Sequence, residues 1–134
     1  MRGKSADALP LLDQVIAEAT PDPFDHPELA GAYVERGLAL VELGKFDAAQ
    51  KAFASAAVAL DQLHGTRMTP LRADLLIGQA RVHLQSGDAA EALPPLESAH
   101  AYWQERRPDS RWAAEAARWL HEAQALQGKK RASP

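Results

Sequence analysis

Four glycines fall at nearly equal intervals, Gly3, Gly44, Gly87 and Gly128, separated by 41, 43 and 41 residues, and the residues around them repeat. Gly37, Leu40, Gly44 and Ala49 fall opposite Ala80, His83, Gly87 and Ala92, and the run Ala8-Leu-Pro-Leu-Leu12 returns as Ala92-Leu-Pro-Pro-Leu96. A period of this size marks a solenoid, in which no unit buries its apolar face alone and each neighbour supplies the rest of the core. The spacing therefore constrains the fold far more than it constrains the chemistry.

Composition narrows the function classes. A chain of 134 residues with 46% hydrophobic content can bury one core. It contains no cysteine, so neither a disulfide framework nor a thiolate nucleophile or metal ligand is available. No stretch approaches the roughly 18 apolar residues that span a bilayer, and the first residues lack the apolar run of a signal peptide. The expectation is a soluble, cytoplasmic protein without a membrane partner. Net charge is -3 but unevenly placed: residues 1–65 hold 5 Lys/Arg against 10 Asp/Glu, and residues 66–134 hold 10 against 8. The acidic half argues against a nucleic-acid surface, which needs a continuous basic stripe.

Apolar residues recur at three and four through six segments, which predicts six helices and no strand. The first carries Leu9, Leu12 and Ile16, the second Leu29, Tyr33, Gly37 and Leu40, and the third Phe46, Phe53, Ala56 and Leu60. Leu71, Leu75, Leu76 and Ala80 mark the fourth, Leu93, Leu96, Ala99 and Trp103 the fifth, and Trp112, Ala116, Leu120 and Ala123 the sixth. Gly44, Gly87 and Gly128 are expected as left-handed C-caps. Asp25, Thr69 and either Asp109 or Ser110 are expected as N-caps, with Glu28 completing a capping box and Pro70 tolerated in a first turn. Pro10 and Pro94 fall inside predicted helices, where each removes one backbone hydrogen bond and bends the helix.

Catalytic signatures fail throughout: there is no glycine-rich phosphate loop, nucleophile elbow, paired-histidine zinc helix or calcium loop. His83, His100 and His121 come from successive helices, but three histidines make a metal site only when their rings converge, and each reads more simply as a packing residue. The chain is therefore expected to be no enzyme and to need no cofactor or metal.

The residues that carry the period resemble the tetratricopeptide repeats. A large residue, a small residue and a terminating glycine in one helix, followed by alanine, a large residue and alanine in the next, are matched by Tyr33, Gly37, Leu40, Gly44, Phe46, Ala49, Phe53 and Ala56. Leu76, Ala80, Gly87, Ala92, Leu96 and Ala99 match the following repeat. Arg36, Gln79 and His83 depart from the pattern, standing where apolar residues are usual. The period exceeds the common repeat of about 34 residues, and in this it is similar to kinesin light chain and to C-terminal regions of bacterial Ser/Thr kinases and regulators. The resemblance implies an all-α, right-handed superhelical array of antiparallel helix pairs. Its divisions would be a half repeat over 4–19, repeats over 26–64 and 69–106, a terminal helix over 110–127, and a flexible basic tail over 129–134.

The same resemblance implies a non-catalytic scaffold or regulatory module, the C-terminal part of a larger protein, that binds a protein or peptide in its concave groove. By the repeat frame that groove is lined by Val34, Glu35, Leu38, Val41, Asp74, Ile77, Arg81, Leu84, Arg118, Trp119 and Glu122. The lysine and asparagine that hold a terminal carboxylate in chaperone-binding relatives are replaced by Val34 and Leu38, then Ile77 and Arg81, which argues against that mode. A second reading is a homodimer through the uncapped first helix, with Leu9, Leu12 and Ile16 as the face.

Overall fold

The computed structural model describes residues 2–19 and 28–132, with side chains for 5–18 and 28–130. Within them lie six helices: α1 (Arg2–Ala19), α2 (Glu28–Glu42), α3 (Phe46–His64), α4 (Pro70–Gln85), α5 (Ala89–Arg106) and α6 (Arg111–Ala132). No strand occurs among the described residues.

Local chemistry accounts for most of the boundaries. Gly44 and Gly87 both adopt φ +77°, a conformation closed to most side chains. Each ends its helix in a Schellman turn: Lys45 N donates to Leu40 O at 2.8 Å and Gly44 N to Val41 O at 3.0 Å, matched by Asp88 N to His83 O at 2.9 Å and Gly87 N to Leu84 O at 3.0 Å. Thr69 caps α4, its hydroxyl accepting from Arg72 N at 3.1 Å, with Pro70 in the first turn. Of the two candidates before α6, Ser110 is the cap, its Oγ accepting from Ala113 N at 3.1 Å. Asp25 lies outside the described residues. Both α1 and α5 run through their internal prolines, α5 through Pro94 and Pro95 together.

One expectation about glycine is corrected, that Gly128 caps a helix. Gly3 and Gly128 lie inside α1 and α6, and α6 continues to Ala132, so residues 129–132 are helical. Gly44 and Gly87 are each followed within a few residues by a helix whose alanines and large apolar residues are buried against the preceding one. Lys129-Lys130-Arg131 offers no apolar face to fold back, so the helix passes through Gly128 at the modest cost of about 1 kcal/mol that an internal glycine carries.

The helices alternate between two layers. Neighbours in sequence pack against one another throughout, and in addition α2 touches α4 and α4 touches α6, whereas no such contact joins α1 to α3 or α3 to α5. The layer whose members touch is the inner side of a curved array, so α2, α4 and α6 face inward and α1, α3 and α5 fan outward. Alanines make this close stacking possible. Ala49, Ala56, Ala92, Ala99, Ala116 and Ala123 are all fully buried.

Burial divides into two clusters with α4 between them. Leu75 and Val82 of α4 join Val34, Leu40, Phe53 and Leu60, while Ala73, Ile77 and Ala80 join Leu96, Tyr102, Trp103 and Ala116. Phe53 is only 1% exposed. Its ring fills the space where Gly37 and Gly78 lack side chains, so a Cβ at either position would stand 2.3 Å from the ring. One aromatic of the outer layer thereby sets how closely α2 and α4 approach.

Candidate functional site

The C-terminal half of α4 places Arg81 on the inner layer, between the ends of α2 and the middle of α6. Its side chain is 17% exposed and its Nη2 donates to Glu42 Oε1 at 2.8 Å. The guanidinium carbon lies 4.5 Å from the centre of the Trp119 ring, and that of Arg118 lies 4.6 Å from the same ring. Trp119 Nε1 in turn donates to Glu115 Oε1 at 2.8 Å. Three inner helices are thus tied through one indole and one guanidinium, and cation–π contacts of this kind contribute about 0.5–1 kcal/mol at exposed sites.

Beside this stack opens a hollow of about 350 Å³, lined by Val41, Phe46, Leu84, Trp119, Ala125 and Leu126 together with Arg81, Gln85, Glu122 and Lys129. Its lining joins apolar side chains to charges of both signs, a combination suited to taking an apolar side chain and orienting it by polar contacts.

Electrostatics differ along the inner face. The hydrogen bond from Arg81 holds the Glu42 carboxyl below its ordinary range, and the charges of Arg81 and Arg118 act in the same direction. Asp74, one stripe earlier on α4, is pushed up by burial and then by the negative charge of Glu35. The same face therefore runs from two carboxylates that repel each other to an arginine pair.

The sequence-predicted groove residues separate on this scaffold. Arg81, Leu84 and Trp119 are half-buried and come together at the hollow with exposed Glu122, and exposed Arg118 stacks beside them. Glu35 is exposed and Asp74 half-buried, farther along the face. Val34 is a core residue at 1% exposure and Ile77 is 7% exposed, so neither presents a surface. Leu38 packs against the first core cluster, and Val41, 7% exposed, contributes only the hollow's edge. The reason is geometric: an inner helix meets outer helices on one side and inner neighbours beside it, which leaves a narrower free stripe than the repeat frame assigns.

Phe46, Ala125 and Lys129 complete the hollow and were not expected there. Phe46 opens an outer-layer helix and reaches the inner face only because the Gly44 turn places it there. Lys129 reaches the hollow because α6 continues through Gly128 instead of stopping there.

The proposed self-association face also moves. Leu12 is buried, Leu9 packs on the first core cluster, and half-buried Ile16 borders a dent with Tyr33 and Arg36. These three turn inward because α1 packs on α2. The large apolar residues that α1 leaves outside, among those described, are Leu11 at 67% and Val15 at 36% exposure. Arg36, unusual for the repeat pattern, donates its Nε to Asp13 Oδ1 at 2.7 Å and so fastens α1 to α2.

A second cleft of about 380 Å³ lies where α4 begins, between Pro70, Asp74, Tyr102, Trp103, Arg106 and Trp112. Its wall is aromatic: Trp103 and Trp112 stack at 5.3 Å and 21°, and Arg106 lies 4.2 Å above Tyr102. Trp119 packs on the second core cluster from the inner face, outside this Trp103–Trp112 stack. No group of three or more His, Cys, Asp or Glu among the described residues is placed to hold a metal ion, and no helix among them is long and apolar enough to cross a membrane.

Comparison with known families gives one finding: the model of the family described as tetratricopeptide repeat matches residues 34–110. Neither the curated proteins nor the solved structures compared give a match. The match spans more than half of the chain, from the inner face of α2 to the cap of α6, and agrees with the layered helix pairs and their glycine turns: the chain belongs to the tetratricopeptide repeat family.

Proposed function

We propose that this protein is a non-catalytic scaffold or regulatory module that holds a segment of a partner protein against its inner face, with the hollow between α2, α4 and α6 as the anchoring point. Tetratricopeptide repeats generally mediate protein–protein interaction. The observation that carries the reading here is the Glu42–Arg81–Trp119–Arg118 arrangement beside an open apolar hollow. Tryptophan and arginine are the side chains that most often dominate interface energies, because they bury large areas while keeping a polar handle. Holding them in a mutual stack on three packed helices lowers the ordering cost of binding. Leu84 and Leu126 receive the partner's apolar side chain, and Arg81 and Glu122 set its direction.

Selection of displayed peptides on the immobilised chain tests this. Binders are expected to lose at least tenfold in affinity for a Leu84→Asp variant, in which a charge replaces an apolar lining residue of the hollow. Binders that hold the variant as well as the parent would place the interaction on another surface.

A further inference from the structure

The outer stripe of α1 and the inner stripe of α6 are built to one spacing with opposite charge. Along α1, Asp7, Leu11, Val15 and Glu18 succeed one another at four, four and three residues, and all four are exposed. Along α6, Arg118, Glu122, Leu126 and Lys129 follow at the same intervals, and the last three border the hollow. At 1.5 Å per residue each pair of outer charges stands roughly 16 Å apart along its helix. The α1 stripe ends in two carboxylates around two apolar residues; the α6 stripe ends in two cations around Glu122, Leu126 and the hollow.

We infer that the hollow takes α1 of a second copy of this chain, with Leu11 seated beside Leu126 and Leu84. The inference rests on the groove reading above and names its occupant. Antiparallel docking pairs Glu18 with Arg118 and Asp7 with Lys129, brings Leu11 within one residue, about 1.5 Å, of the level of Leu126 and Val15 near the level of Glu122, and sets the two helix dipoles head to tail. Leu11 is 67% exposed in the single chain and is the largest apolar surface that α1 presents, so its burial supplies the driving force. The end charges exclude wrong registers, and the helix dipoles favour the antiparallel sense. Because α1 of one copy meets the groove of another, the contact is heterologous; two of them exchanged reciprocally close a dimer.

Sedimentation of the full chain from micromolar to millimolar concentration tests the inference. The mean mass is expected to rise with concentration. Leu11→Asp, a change at an exposed position, is expected to hold the chain at monomer mass, with at least a tenfold shift of the midpoint and an unchanged helical spectrum. A chain carrying Asp7→Lys and Glu18→Lys, or one carrying Arg118→Glu and Lys129→Glu, is expected to associate more weakly than the parent; all four changes together are expected to restore association. A parent chain that stays monomeric, a Leu11→Asp chain that associates like the parent, or a fourfold variant that does not recover overturns the inference. Monomeric chain that still captures displayed peptides through Leu84 removes self-docking and leaves the groove reading standing. Association that persists in Leu84→Asp places the contact elsewhere and removes self-docking as well.

Discussion

Phe53 sits with its Cζ 2.3 Å from where a Cβ on Gly78 would stand, so the absence of a side chain on α4 is a packing requirement of an aromatic on α3. Gly78 adopts ordinary helical geometry, and its conformational freedom is irrelevant; what matters is the room it leaves.

Gly78→Ala is therefore expected to destabilise the chain by about 1–3 kcal/mol, the usual cost of forcing an added methyl into a filled interior. Urea denaturation measures it. Combining Gly78→Ala with Phe53→Leu should recover part of the loss relative to the sum of the single changes. Alanine at Gly78 with full stability would contradict the tight seat, since alanine is otherwise the better helix former by about 1 kcal/mol.

Legibility from sequence followed the physics of each feature. Gly44 and Gly87 were readable because a left-handed turn followed by a new apolar run has one residue type suited to it. Thr69 before Pro70 was readable for a similar reason. Gly37 was recognised as a small position, but Gly78 was not, because its constraint comes from Phe53, 25 residues earlier in the chain. Arg36 looked like a fault in the repeat until its partner Asp13 was placed beside it. Within the site, Arg81, Leu84 and Trp119 follow from the repeat frame, whereas the same frame sets Val34 and Ile77 on the groove surface although they are buried, because burial depends on how closely neighbouring inner helices approach.

Arg72 offers a second prediction on the α3–α4 connection. Its Nη2 donates to Asp61 Oδ1 at 2.7 Å and to Gly65 O at 2.8 Å, with its side chain 13% exposed. Arg72→Met keeps most of the stem and removes the donors, leaving the loop carbonyl without its partner. A loss of about 1–2 kcal/mol is expected in thermal or urea unfolding. Asp61→Asn, which leaves the Gly65 contact, is expected to lose less.

Two carboxylates on the inner face should respond to pH in opposite directions. Glu42 has its folded value lowered by the hydrogen bond from Arg81, so the ionised group favours the folded state above the ordinary glutamate value, and that contribution fades as pH falls through the lowered one. Asp74 has its folded value raised by burial and by Glu35, so ionisation opposes folding once pH rises past the ordinary aspartate value and does so fully above the raised one. Hence Glu42→Gln should lower the melting temperature at neutral pH, and Asp74→Asn should raise it. Both differences should shrink in acid, as melting curves across pH will record.

The Arg81–Trp119 contact is expected to couple two inner helices. In a double-mutant cycle of Arg81→Met and Trp119→Leu, unfolding should show a coupling of about 0.5–1 kcal/mol. Additive single effects would mean that the stack contributes no stability of its own.

The central claim is that the inner face binds a partner through the hollow beside Trp119, and affinity of a selected binder for Trp119→Ala tests it most directly, read together with the variant's melting curve. The account predicts that affinity falls by more than ~1 kcal/mol, about fivefold or greater, while unfolding remains cooperative. Unchanged affinity accompanied by a lowered melting temperature would contradict it and leave Trp119 as a residue that only holds α4 and α6 together.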